Sequence, residues 1–133
     1  MNMSFKEYIG ISFKSQGRDR LGLDCWGLLC LIYKERLNIS LGSYIDEYDD
    51  ANFYAQVSNV VEMHIPEWAL IEKGLERPFD VVILRLRGLP IHIGMVIKPG
   101  IMIHVLNKLN TCLEKYNTPL WNKRIRGFYR YAK

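Results

Sequence analysis

Cysteine is scarce: the chain has three in 133 residues. An odd number without a CxxC pair excludes a paired disulfide framework and a structural zinc site of the usual spacing. Long apolar runs are missing too. No uncharged stretch approaches the roughly 18 residues of a membrane span, so no membrane insertion is expected. The opening MNMSFKEYIG has neither the charged-then-apolar layout of a signal peptide nor a myristoylation signal. Neither sign of charge dominates, because 18 basic against 14 acidic residues leaves +4. The tightest basic groups, Arg85/Arg87 and Lys123/Arg124/Arg126, fall short of a basic run, and no nucleic-acid partner is expected. Repeats, low-complexity tracts and linkers are absent as well. The expectation is one domain spanning residues 1–133, made in the cytoplasm without a signal peptide.

What is present is a change of pattern along the chain. Ser4 to Ile9 fits a short helix. Ile11 to Gly22, with Gly10, Gly17 and Gly22, reads as an extended loop. From Leu23 to about Leu37 apolar residues recur at helical period, on a face wide enough to be buried on most sides. Asp24 is a natural N-cap for that helix. A second helix is expected from Asp50 to about Met63, stopped by Pro66. Thereafter the signals are β. Segments 79–86, 91–97, 101–106, 111–116 and 126–131 are separated by turns at 88–90, 98–100 and 107–110. Helices first and an antiparallel meander afterwards is an α+β pattern.

The stretch GLDCWGLLCLIYKE, Gly22 to Glu35, carries the chemical question. Free cysteine is commonly a small core residue, and Cys30 fits that description. Cys25 fits it less well, since it stands at the helix mouth beside a carboxylate. The first helical turn offers unpaired N–H groups and the positive end of the dipole, which favour a thiolate and an oxyanion. A thiolate needs a base. His92 and His104 lie in alternating strands either side of the Lys98-Pro99-Gly100 turn. A hairpin centred on 98 and 99 would set His92 opposite 104 or 105, with the imidazoles side by side. A nucleophile, a base and a group orienting the base is the logic of an activated nucleophile. The same three side chains could instead hold zinc with an open position. No accompanying acidic residue supports that alternative.

These segments, GRDRLGLDCWGLLCLIYKE followed by RPFDVVILRL, IHIGMVI and IMIHV, resemble the NlpC/P60 family of papain-like cysteine peptidases. Within it they are similar to the branch found in bacteriophage tails, as are Trp26 and the closing WNKRIRGFYRY. The resemblance runs from about Phe5 to Tyr131. It implies a papain-like NlpC/P60 fold, with N-terminal helices packed on a curled antiparallel sheet of about five strands. It implies Cys25 as nucleophile, His92 as base and His104 as the residue orienting His92. Asp24 and the Cys25 N–H would lie near the oxyanion site. No metal and no cofactor would be needed. The implied substrate is a peptidoglycan stem peptide, cleaved at an amide bond, and a tail-associated or prophage-encoded location with other tail proteins as partners follows. Where the family usually has Tyr before the cysteine, this chain has Phe13, which removes a hydroxyl; Trp26 is bulky where wall hydrolases often carry Ser. Those two departures support an alternative, a structural tail-assembly protein keeping the fold with little activity.

Smaller features complete the expectations. Arg18-Asp19 reads as a local ion pair shaping the loop, with Arg18 also able to grip a substrate carboxylate. Tyr44 and Tyr48 could line one wall of a cleft. His64, just after the second helix, reads as a surface or capping residue.

Overall fold

The computed structural model describes residues 4–132. The first turn is a 3-10 turn, Lys6–Tyr8, rather than a full helix. A two-residue hairpin, β1 (Arg18–Asp19) with β2 (Gly22–Leu23), leads into α1 (Cys25–Ile32). Asp24 caps α1, its carboxylate accepting the Gly27 N–H at 2.8 Å. Leu28, Leu29 and Ile32 are fully buried, each worth about 1.5–3 kcal/mol of apolar transfer. The expected helix continues to Leu37 only as a wider π turn, Tyr33–Leu37, ending where Asn38 takes the left-handed conformation with φ of 55°.

Helix α2 (Tyr54–His64) starts four residues later than the apolar period suggests. The Asp50 side chain accepts the Asn52 N–H at 2.8 Å, and its carbonyl accepts the Phe53 N–H at 2.9 Å. That turn competes with helix and delays its start. The helix gives way to a 3-10 turn, Ile65–Glu67, containing Pro66.

The remaining strands are β3 (Ala69–Ile71), β4 (Val81–Leu86), β5 (Leu89–Lys98), β6 (Ile101–Leu106), β7 (Leu109–Lys115) and β8 (Ile125–Arg130), with the short helix α3 (Pro119–Asn122) before β8. They form one antiparallel sheet in the order β3-β8-β4-β5-β6-β7. The sixth strand is β3, three residues long and largely exposed, so it carries no burial alternation for a reader of the sequence to find. On one sheet face Ile83, Ile93, Met95, Ile103 and Val105 pack with Leu28, Leu29 and Ile32 of α1. On the other, Val82, Leu84, Val96 and Met102 pack with Tyr116, Trp121 and Phe128. The site described next lies where α1 meets β5.

Candidate active site

Cys25 is the first residue of α1, and its thiol points at the carbonyl oxygen of Ile91 on β5, 4.0 Å away. The side chain is half-buried. What fixes this helix start is a joint centred on Asp24, which is 2% exposed. Its Oδ1 accepts the Gly27 N–H at 2.8 Å and Arg18 Nη1 at 2.7 Å. Its Oδ2 accepts the Gln16 N–H at 3.0 Å and the Tyr48 hydroxyl. Arg18 is engaged in turn by the Gly17 carbonyl, Ser43 Oγ, the Ser43 carbonyl and the Tyr48 oxygen at 2.6–3.1 Å. Both side chains therefore hold the loop to the helix. Arg18 pairs with Asp24, not with its neighbour Asp19, which accepts the Leu21 N–H instead. The expectations of Asp24 at an oxyanion site and of Arg18 gripping a substrate carboxylate meet side chains whose polar atoms already have partners.

Gly27 completes the joint. A Cβ there would lie 1.9 Å from the Gly17 carbonyl oxygen, a backbone atom that cannot yield. The close crossing of loop over helix start therefore demands glycine two residues after Cys25.

The histidines meet, but not as a rung. The β5–β6 turn is centred on Pro99-Gly100, one residue later than expected, and the register shifts between Val96 and Lys98. Paired residues run from Lys98↔Ile101 to Met95↔Ile103, and extending that register sets His104 opposite Gly94. His92 lies two residues further along, a diagonal neighbour on the same face. There His92 Nε2 and His104 Nδ1 are 2.8 Å apart.

Sequence reading missed the next link. His104 Nε2 lies 2.8 Å from Glu114 Oε1, while Glu114 Oε2 accepts the Trp121 indole N–H at 2.7 Å. Trp121 stacks on the His92 ring at 5.8 Å and meets the His104 ring edge-on. The carboxylate can only accept, so His104 carries its proton on Nε2. Neutral His104 then has a bare Nδ1, which accepts from His92 Nε2–H. Neutral His92 in turn keeps its lone pair on Nδ1. That nitrogen makes no hydrogen bond among the described residues.

Cys25 and His92 together line a cleft that is partly open to solvent. Phe13, Trp26, Tyr44, Tyr48 and Trp68 form much of its wall. Trp26 is held by its indole N–H on the Gly42 carbonyl at 2.7 Å and by stacking on Tyr44 at 5.6 Å. Phe13 occupies the wall with a bare phenyl ring. His64, expected as a surface or capping residue, is the N-cap residue of the Ile65–Glu67 turn and also lines the cleft. Its ring stacks on Tyr44 at 3.9 Å and is gripped by Glu47 at 2.8 Å and Glu67 at 2.9 Å. Burial opposes charge on His64, but the two carboxylates outweigh it and lift its pKa.

Burial sets the resting protonation of the central pair. It pushes the Cys25 thiol up to about 12, with the Asp24 charge adding to the effect and the Ile93 N–H, Arg18 and the Trp26 N–H pulling the other way. It pushes His92 down to about 3, with His104 contributing. His104 is lowered by burial as well, against the pull of Glu114. Thiol and imidazole therefore rest neutral, rather than as the ion pair that a helix N-terminus alone suggests. The trio weighed as zinc ligands is otherwise engaged, since His92 Nε2 and His104 Nδ1 face each other.

A model of the NlpC/P60 family matches residues 10–130. No curated protein matches the chain significantly. Similar solved structures include an NlpC/P60 family protein from Bacillus cereus, 22% identical with a TM-score of 0.70 over 96% of this chain and 38% of that one. NlpC1 from Trichomonas vaginalis is 21% identical, with a TM-score of 0.69 over 96% of this chain and 42% of that one. The NlpC/p60 domain of the peptidoglycan hydrolase SagA is 17% identical, with a TM-score of 0.64 over 96% and 92%. At these identities the likeness is one of fold. The chain spans 38% of the length of the Bacillus cereus protein and of a Staphylococcus aureus family member.

Proposed function

The chain belongs to the NlpC/P60 family, and from that premise we propose that it is a cysteine hydrolase cleaving amide bonds in peptidoglycan stem peptides. The observation that carries the reading is the hydrogen-bonded run Glu114–His104–His92, which leaves Nδ1 bare on His92, and His92 lines the same cleft as Cys25.

In the proposed reaction His92 Nδ1 takes the Cys25 proton as the sulfur attacks the amide carbonyl carbon. Thiolate and imidazolium are each disfavoured singly by burial, so proton transfer accompanies attack. The carbonyl oxygen becomes an oxyanion beside the Cys25 N–H at the positive end of α1, a placement that stabilises developing charge. Imidazolium of His92 gives the proton to the departing amine, and the C–N bond breaks to leave a thioester on Cys25. Water, deprotonated by the same nitrogen, hydrolyses the thioester and restores the thiol. His104 and Glu114 fix the tautomer of His92 throughout. Phe13 offers the oxyanion no hydroxyl, and the phenol of Tyr48, which also lines the cleft, is engaged by Asp24 and Arg18.

The proposed setting is a bacteriophage tail, where such a domain opens the wall locally beside other tail proteins. Trp26 and the closing stretch WNKRIRGFYRY support that setting. The test is incubation of the chain with purified muropeptides and mass-spectrometric detection of released fragments. Release by the parent and none by Cys25→Ala is expected. Absence of release from both leaves the scaffold reading in its place.

A further inference from the structure

Behind the histidine pair lies a second cluster of metal-competent atoms. A ring nitrogen of His104, the Cys112 sulfur and a Glu114 carboxylate oxygen all lie within 4.8 Å of one another, and Nε2 is the ring nitrogen that faces Glu114, at 2.8 Å. The sheet builds this grouping. His104 and Cys112 are cross-strand partners on β6 and β7, and Glu114 follows Cys112 by two residues, on the same face. Trp121 holds the far oxygen of Glu114 at 2.7 Å and keeps the near one aimed at His104. Cys112 and Glu114 are half-exposed on the edge strand, which gives an ion a way in.

We infer that His104, Cys112 and Glu114 form a zinc-binding site, distinct from Cys25, whose occupation switches His92 off as a base. Imidazole, thiolate and carboxylate together suit a borderline-soft divalent ion and not magnesium or calcium. Zinc bonds of about 2.0–2.3 Å put tetrahedral ligands about 3.3–3.8 Å apart, so side-chain adjustments of about an ångström close the site. Water takes the fourth position. Cys112 releases its thiol proton to solvent on binding.

The consequence reaches the cleft through proton positions. A metal on His104 Nε2 uses the lone pair there, and the proton formerly on that atom leaves to solvent. His104 must then carry its proton on Nδ1, received from His92 Nε2. His92 replaces it with a solvent proton on Nδ1, the atom that would accept from Cys25. Each ring still holds one proton, but the base has become a donor. The inhibition half of this inference rests on the proposed hydrolase function; the binding half does not.

The experiment uses the full chain, with Zn²⁺ binding followed by calorimetry and Co²⁺ as a spectroscopic probe. The parent and Cys25→Ala are expected to bind one ion each and to show a thiolate-to-cobalt charge-transfer band. Cys112→Ala and Cys112→Ser are expected to lose the band and at least about tenfold in zinc affinity, a modest figure for deleting one of three ligands. In the muropeptide assay, saturating zinc should lower parent turnover about 100-fold, the lower range for an oriented base. Cys112→Ala should keep the parent's zinc-free activity and escape the inhibition. A band that disappears in Cys25→Ala, or survives in both Cys112 variants, overturns the site. Zinc bound at Cys112 with parent turnover unchanged overturns the switch. If no substrate is turned over, the cobalt and calorimetric results still decide the site.

Discussion

Replacing Asp24 by Asn tests the joint that positions Cys25. The substitution keeps size and one acceptor, so the cap on the Gly27 N–H can persist. It removes the charge facing Arg18 and turns the other oxygen into a donor, which the Gln16 N–H cannot use. Removing one partner of a buried ion pair costs about 3–5 kcal/mol. The Arg18 side chain is 18% exposed and keeps the Gly17, Ser43 and Tyr48 acceptors, so the low end, about 3 kcal/mol, is expected. Against a typical stability of about 5–15 kcal/mol this is a large share. Urea unfolding followed by tryptophan fluorescence should show a lower midpoint at unchanged slope. Asp24→Ala should fall about 1 kcal/mol further, through loss of the cap. A loss below about 0.5 kcal/mol for Asp24→Asn, the range of ordinary surface changes, would refute the argument that this carboxylate is the structural joint.

Two other consequences can be measured. Glu114→Gln places an amide between two N–H donors, those of Trp121 and His104, and can satisfy both only if His104 flips its tautomer; kcat on muropeptides should drop about 100-fold with KM little changed, and unchanged kcat would contradict the role given to Glu114. His92, held near 3 when folded against about 6.5 unfolded, takes up protons mainly on unfolding, so its contribution is complete above pH 6.5 and is lost as pH falls toward 3. Between pH 7.5 and 5 His92 alone should lower stability by about 2 kcal/mol, and His104, lowered by burial as well, adds in the same direction. A His64→Gln background is cleanest for this measurement, since His64, lifted by Glu47 and Glu67, titrates with the opposite sign; flat stability over the window would sink the account of His92.

Local signals made much of the architecture legible. Asp24 before an apolar run marked the start of α1, and the turns at 88, 100 and 108 marked the hairpins, because capping and positive-φ positions leave a trace in neighbouring residues. The approach of His92 to His104 was readable from the turn between them, though its register was not, since one shift near Ile97 slides the pairing. Glu114 and Trp121 were not readable. Their place at the histidines depends on the β6–β7 register and on how α3 folds back, which are non-local. The sequence position of Arg18 suggested Asp19 as its partner, while the fold supplied Asp24, because the β1–β2 hairpin turns the chain back on itself. β3 escaped because an exposed three-residue strand earns its place only through pairing with β8.

The arrangement of protons on the two buried histidines is the hinge of the whole account, and long-range proton–nitrogen NMR on histidine-labelled protein reads it without any substrate. At neutral pH both rings should be singly protonated on Nε2 with bare Nδ1 nitrogens, and His92 should stay so well below the ordinary imidazole range. A proton found on His92 Nδ1, or a doubly protonated His92 at neutral pH, would contradict it.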